Sequence, residues 1–515
     1  MKTITWRLSI RDTRLSTFVF SILALGFVGV VQAQNVFHVD PSADLSGEAD
    51  WANIMQAFED SKAAGAGSTV ELAAGTFYIP RPLQIANFSG TLLGAGKGKT
   101  ILRNAPGIEF GLLEPPLERM PAFMAFWLDG MDPGSETFWP ADRVQDLTLS
   151  GFTILIDGPA QRWYSHCLPG HPGWQFINSI DVRGRWTGLQ HGICEMHPDD
   201  IMERALANTR FEHLEFIGEN GYALNGTQVW GEGVTFPCGD GSAFTWAYTK
   251  WISGTQVVED SSYDSMQGEA IAFYNLVDST VLLGGGPNKG TTVRNSGAPL
   301  LMWDLSNTSV HASYIDSADS LGVYLLNGID TVAYGMPEIR LPAPSEYVFT
   351  HNRIRQGTGS WYASFELWNY AGEVGWALGN VVISNNKIHS EDHNFPFGPI
   401  FSYFVDGAVI TNNKITGRGD TAVAIEPFGT IGRDWVLVGN NVENYESTPY
   451  PEQILLGPGT SNCTVVGGHN AANVFDMGTD NYVTGVSNQG QRELPLGMSV
   501  SEAMKLRSEL ARNLR

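Results

Sequence analysis

The chain is poor in cysteine, in cations and in long apolar runs, and each shortage closes off a class of protein. Only Cys167, Cys194, Cys238 and Cys463 occur in 515 residues, too few for a small scaffold held together by disulfides. Lys and Arg number 31 against 54 Asp and Glu, and the formal charge of −23 repels phosphate backbones and anionic headgroups. Neither nucleic acid nor a membrane surface is therefore an expected partner. A charged fraction of 17 % beside 43 % hydrophobic residues excludes a coiled coil and a disordered tail. What the chain does have is glycine, 58 residues of it, which points to many tight turns and a β protein.

The single long apolar run, Phe18 to Val31, follows Lys2, Arg7, Arg11 and Arg14 and ends in Val31-Gln32-Ala33. It is shorter than the roughly 20 residues a spanning helix needs, and reads as a secretory signal over residues 1–33 cleaved after Ala33. The product is expected to be secreted or periplasmic, and soluble. In an oxidising compartment Cys167 and Cys194 are expected to pair as a disulfide, while Cys463 reads as a small buried hydrophobe.

The last third of the chain repeats itself. Val348-Phe349-Thr350-His351-Asn352-Arg353-Ile354 returns as Val382-Ile383-Ser384-Asn385-Asn386-Lys387-Ile388, and again as Val409-Ile410-Thr411-Asn412-Asn413-Lys414-Ile415. Leu437-Val438-Gly439-Asn440-Asn441-Val442 continues the series, with the second Asn taken as its marker at Asn352, Asn386, Asn413 and Asn441. Short apolar strands at a fixed period, joined by Asx and Gly turns with no helix between them, describe a parallel β-helix in which each coil stacks on the last. Asn suits the turn because it tolerates the left-handed region and its amide can bond to the same amide one coil away. The middle of the chain repeats less regularly, as at Ile271 to Tyr274, Leu300 to Trp303 and Val323 to Leu326. A solenoid end must be covered, and two covers are expected: a helix over about 48–64 and a C-terminal helical tail over 491–515. Residues 34–490 then form one domain, broken by loop insertions at about 106–142 and 157–207.

Asp50-Trp51 leading into Ala57, Thr69-Val70-Glu71-Leu72-Ala73-Ala74-Gly75-Thr76-Phe77-Tyr78-Ile79, and Leu92-Leu93-Gly94-Ala95-Gly96 resemble the opening of pectin-lyase-like right-handed β-helix proteins. The resemblance implies an all-β fold, a right-handed parallel β-helix solenoid with an N-terminal capping helix. It is specific for fold only, since the superfamily spans hydrolases, lyases, epimerases and non-catalytic members. The Gly-His-Gly and Arg-Ile-Lys of the polygalacturonase branch are absent, and so is the calcium-binding Asp cluster of the pectate-lyase branch. Gly94-Ala95-Gly96-Lys97-Gly98-Lys99-Thr100 is one residue short of a phosphate loop.

Eight of the 15 Trp fall between positions 127 and 251, and flat indoles stack on sugar faces. Trp163, Trp174 and Trp186 in the second insertion are candidate sugar platforms, with His191 beside them. Arg183 and Arg185 are candidate partners for a substrate carboxylate or sulfate. His191-x-x-Cys194-x-x-His197 has metal-ligand spacing, but the expected disulfide removes its thiolate, so no metal is assigned. Asp304, Glu366 and Glu426 follow or interrupt apolar strand residues and are the candidate catalytic carboxylates; their spacing would decide between inversion and retention. The chain thus reads as a monomeric, exported carbohydrate-active enzyme cleaving a polysaccharide, with hydrolysis favoured and no cofactor. The alternatives are a lyase using calcium and Arg294 or Arg185 as base or carboxylate neutraliser, and a solenoid that binds glycan without cleaving it.

Overall fold

The structure, a computed structural model, describes residues 35–488 except 109–121, 128–144, 157–161, 166–172, 184–204, 219–223, 231–251, 266–268, 285–288, 297, 318–321, 328–345, 361–362, 370–377, 394–397, 420, 443–444, 448–452, 468–472 and 485–486. The period predicts stacked coils, and stacked coils are what forms. Ile400–Tyr403 belongs to a first sheet, Val381–Ser384 to a second and Lys387–His393 to a third. Val409–Thr411 then returns to the second sheet, one rung on, with Val382 opposite Val409 in parallel register. Two long strands, Glu269–Leu283 and Ala298–His311, turn from the first sheet into the second without a break. Among the described residues the third sheet holds eleven strands.

Alternation within each strand sends one set of side chains to a common interior. In the second sheet Phe349, Ile383, Ile410, Leu437 and Val465 stand directly above one another, all buried. In the third, Ile315, Ile354, Ile388 and Ile415 do the same. Like side chains at the roughly 4.8 Å strand spacing pack face to face all along the axis. Phe216 and Tyr263, stacked at 4.4 Å and 6°, are one such step.

The helix Glu48–Ala64 lies where the spacing of apolar residues places it. Its Ile54 and Phe58 close the end of the interior, and Phe58 meets Phe88 edge-on at 4.9 Å. Glu48 and Asp50 in its first turn favour the positive end of the helix dipole. Asp50, fully buried, accepts the backbone N–H of Ser42 at 2.7 Å and of Tyr78 at 2.8 Å, and so joins the helix to the first coil. The leader at 1–33 and the helical tail at 491–515 lie outside the described residues.

Two expectations are corrected by the strands. The segments 106–142 and 157–207 are not pure insertions, since each supplies a strand of the first sheet, Ala122–Trp127 and Gly173–Arg183, and the two pair with one another. The second segment also carries Arg162–Ser165, which folds back on Gly173–Arg183 as an antiparallel hairpin. The Asn ladder is real, but its fourth member is Asn440 and not Asn441. At the corner between the second and third sheets one residue takes the left-handed conformation, His351, Asn385 and Asn412 in successive coils, then Gly439 with φ 66°. The ladder residue follows it, so glycine in the left-handed place shifts the match by one.

Asn352 N–H donates to Asn386 Oδ1 at 2.9 Å, Asn386 N–H to Asn413 Oδ1 at 2.9 Å, and Asn413 N–H to Asn440 Oδ1 at 3.0 Å. Each amide nitrogen donates back to a strand carbonyl, as Asn386 Nδ2 does to Phe349 O at 2.9 Å. Where the ladder runs out of Asn it continues through Ser313, whose N–H donates to Asn352 Oδ1 at 2.9 Å. Asn386→Ala leaves a buried N–H and a buried carbonyl unmatched and is expected to cost about 2–3 kcal/mol. Asn385→Gly, at φ 57°, is expected to change stability by no more than about 0.5 kcal/mol. Urea denaturation midpoints of the two variants check the contrast.

Candidate functional site

The three sheets differ in what lies outside them. Outward positions of the third sheet, such as Arg353, Lys387 and Lys414, are exposed, and those of the second, such as Thr91 and Val382, are half-buried. Outward positions of the first sheet are covered by other parts of the chain: Ala86, Ala125, Ala272, Phe401 and Ala424 are all buried. Among the described residues, the outer side of the first sheet is thus the most shielded from solvent of the three.

The register of that sheet brings distant residues into two straight columns. One runs Ala125, Asp181, Gln228, Ala272, Leu301, Tyr324, Glu366 and Phe401. Beside it, two residues further along each strand, runs Trp127, Arg183, Trp230, Tyr274, Trp303, Leu326, Trp368 and Tyr403. Six of these eight rungs are aromatic. The alternate positions, among them Val182, Phe273, Met302, Leu325 and Leu367, belong to the core, and Tyr324, Glu366, Trp368, Phe401 and Tyr403 accordingly stand on the outward side of the sheet. At one end Trp368 stacks on Tyr403 at 4.7 Å and 16°, and Phe428 meets Phe401 edge-on at 5.9 Å.

The three candidate carboxylates do not converge. Glu366 stands in the first column between Tyr324 and Phe401, fully buried and two residues before Trp368. Asp304 follows Trp303 and, by the same register, is level with Asn327 and Asn369, two rungs from Glu366 and of opposite alternation. Glu426 is elsewhere in kind. The ladder would put it after Tyr403, but its backbone is left-handed, φ 47°, and this turns the side chain inward.

There Glu426 fills a corner. Oε1 accepts the Ser402 hydroxyl at 2.8 Å and the Val405 N–H at 3.0 Å; Oε2 accepts the Phe404 N–H at 2.6 Å and the Thr430 hydroxyl. Four donors saturate the carboxylate, which explains why a serine interrupts an inward column that otherwise reads Leu325, Leu367, Ile425, Leu456. Val405 is held from the other side by Trp435, whose indole N–H donates to its carbonyl at 2.7 Å. This geometry makes Glu426 a post for the turn at Phe404 and Val405, with no lone pair directed at the outer columns.

The remaining candidates divide. Arg183 ends its strand in the aromatic column between Trp127 and Trp230, and Trp163 and Trp174 lie in the antiparallel hairpin beside the first sheet. Trp186, Arg185 and His191 lie outside the described residues, as do Cys167 and Cys194 with the expected disulfide. Arg294 is exposed on the third sheet, away from both columns. Among the described residues no three His, Cys, Asp or Glu side chains gather as metal ligands, and no helix is long and apolar enough to cross a membrane. The columns were missed in the sequence although their signal was there: Phe126-Trp127, Phe273-Tyr274, Met302-Trp303 and Leu367-Trp368 each set an aromatic residue one place after a core residue.

No family profile and no curated protein matches the chain. Among solved structures, it is similar to the catalytic domain of a GH87 alpha-1,3-glucanase in complex with tetrasaccharides, at 11 % identity and TM-score 0.44, covering 84 % of this chain and 68 % of that one. PfbA, a surface adhesin of Streptococcus pneumoniae, aligns at 12 % identity and TM-score 0.40 over 77 % of this chain and 88 % of its own. The ORF18 protein of Geobacillus virus E2 aligns at 11 % and 0.35 over 81 % of this chain, which spans 63 % of the viral protein's length. Alignment this loose assigns no residue of the site.

Burial pushes the Glu426 carboxyl from 4.5 up to about 7, while its four donors pull the other way. A folded value above the unfolded one makes the contribution to stability fully present below pH 4.5, and it is lost as pH rises through about 7. The loss is on the order of 3 kcal/mol. Stability of the native chain is expected to fall across that window with a slope that Glu426→Gln lacks. Glu426→Gln is also expected to be weaker at every pH, since both carboxylate oxygens accept a backbone N–H and an amide NH2 cannot. Denaturation midpoints of both proteins across the window provide the check.

Proposed function

We propose that the chain binds a polysaccharide along the outer side of its first sheet and cleaves it by hydrolysis. The aromatic column carries this reading. Parallel register repeats a flat ring at the roughly 4.8 Å strand spacing, so a glycan laid along the axis meets ring after ring. Phe428 packs against Phe401 and Tyr403, so the column closes one rung beyond Glu366 and Trp368. Arg183 within the column would engage a substrate carboxylate or sulfate. Export, the monomeric state and independence of a cofactor remain parts of the same reading.

Glu366 is assigned the proton donor, because it is the candidate acid in the column beside the rings. Asp304, two rungs away and of opposite alternation, is not assigned as its partner, so the stereochemical outcome is not part of this reading.

A panel of neutral and acidic polysaccharides tests the reading. New reducing ends without the ultraviolet absorbance of an unsaturated uronate are expected; that absorbance would establish a lyase, and binding without either product a non-catalytic module. Glu366→Gln is expected to lower kcat by at least about 100-fold with binding retained. Trp230→Ala and Trp303→Ala are each expected to weaken binding roughly 3- to 10-fold. Unchanged affinity in both Trp variants would remove the column from the binding surface.

A further inference from the structure

The third sheet carries a column of its own, and its chemistry is opposite to that of the protein as a whole. Arg353, Lys387 and Lys414 occupy consecutive rungs, directly opposite one another and all exposed. Among the described residues neither Lys387 nor Lys414 forms an ion pair, and Arg353 rests over the Tyr314 ring at 5.4 Å. Two nearby acids are already engaged, since Arg355 reaches Asp316 at 3.6 Å and binds Glu391. Like charges directly opposite one another in a sheet destabilise it. Three of them in line in a chain of net charge −23 are not a by-product of general basicity.

We propose that this column is a second, independent docking strip for a sulfated polysaccharide running parallel to the solenoid axis. One cation per rung, every 4.8 Å or so, suits a single chain with one anionic group per sugar. Duplex DNA, with a charge about every 1.7 Å of its axis, would carry far more charge than the strip can neutralise against the remaining acidic surface. A sulfate ester presents three terminal oxygens, so one group can accept from ammonium groups on two neighbouring rungs, which Lys387 and Lys414 supply. The strip lies on the third sheet and the aromatic column on the first, so occupancy of one does not require the other.

The test is equilibrium binding of the full chain to dextran sulfate, unsulfated dextran, polygalacturonate and duplex DNA. Dextran sulfate is expected to bind, with an affinity that falls as salt rises. K387E/K414E is expected to lower that affinity at least ten-fold, and K387Q/K414Q to fall between this and the native chain, each with native circular dichroism. Unchanged affinity in K387Q/K414Q, or binding of polygalacturonate or duplex DNA as tight as that of dextran sulfate, overturns the proposal. Trp230→Ala is expected to leave dextran sulfate binding unaltered, so failure here is distinguishable from failure of the first-sheet reading.

Discussion

Register between successive coils is the constraint on which the rest of the structure depends. A slip of one residue in a parallel ladder exchanges inside for outside along a whole strand. The interior would then receive Glu366 and Trp368 and lose Phe365 and Leu367. The corner between the second and third sheets resists such a slip in each coil. A left-handed residue fixes where the strand ends, and the following Asn ties its side chain to one backbone N–H in the coil before and one strand carbonyl. Those bonds fit one alignment only, because a shift by one residue would present a strand N–H already used in the sheet.

With register fixed, the three outer surfaces become separate instruments. The first is covered and aromatic, the second half-buried, the third open and locally cationic. No single stretch of chain encodes any of them, because each column takes one residue per coil. Glu426 shows what the covered side costs in local conformation. A glutamate in the left-handed region is strained, and its four hydrogen bonds hold it there.

The interior was legible in the sequence because its signal is local and repeated: apolar residues two apart, a turn, and the same again. The capping helix was legible for the same reason, from spacings of three and four between Trp51 and Phe58. The match failed by one place at Asn440, where glycine took over the left-handed position from Asn. It failed more broadly at Ala122–Trp127 and Gly173–Arg183, whose strands do not recur at the fixed interval that revealed the others. The role of Glu426 was illegible because alternation predicts side only while the backbone stays extended, and one positive φ reverses it. The aromatic column was present as single aromatic residues scattered over some 280 positions, and only the pairing pattern of the strands makes them neighbours.

Asp50 gives the first coil a property that no later coil has. Its two oxygens are spent on Ser42 and Tyr78, and the helix it anchors sets Ile54 and Phe58 across the mouth of the interior. Duplication or loss of whole coils during evolution is therefore free to lengthen or shorten the protein further along, where every turn resembles the next, but not at this origin. The helix also denies a second molecule the greasy surface it would need to append itself there, so growth into a fibre through this terminus is blocked by the same residue that begins the count.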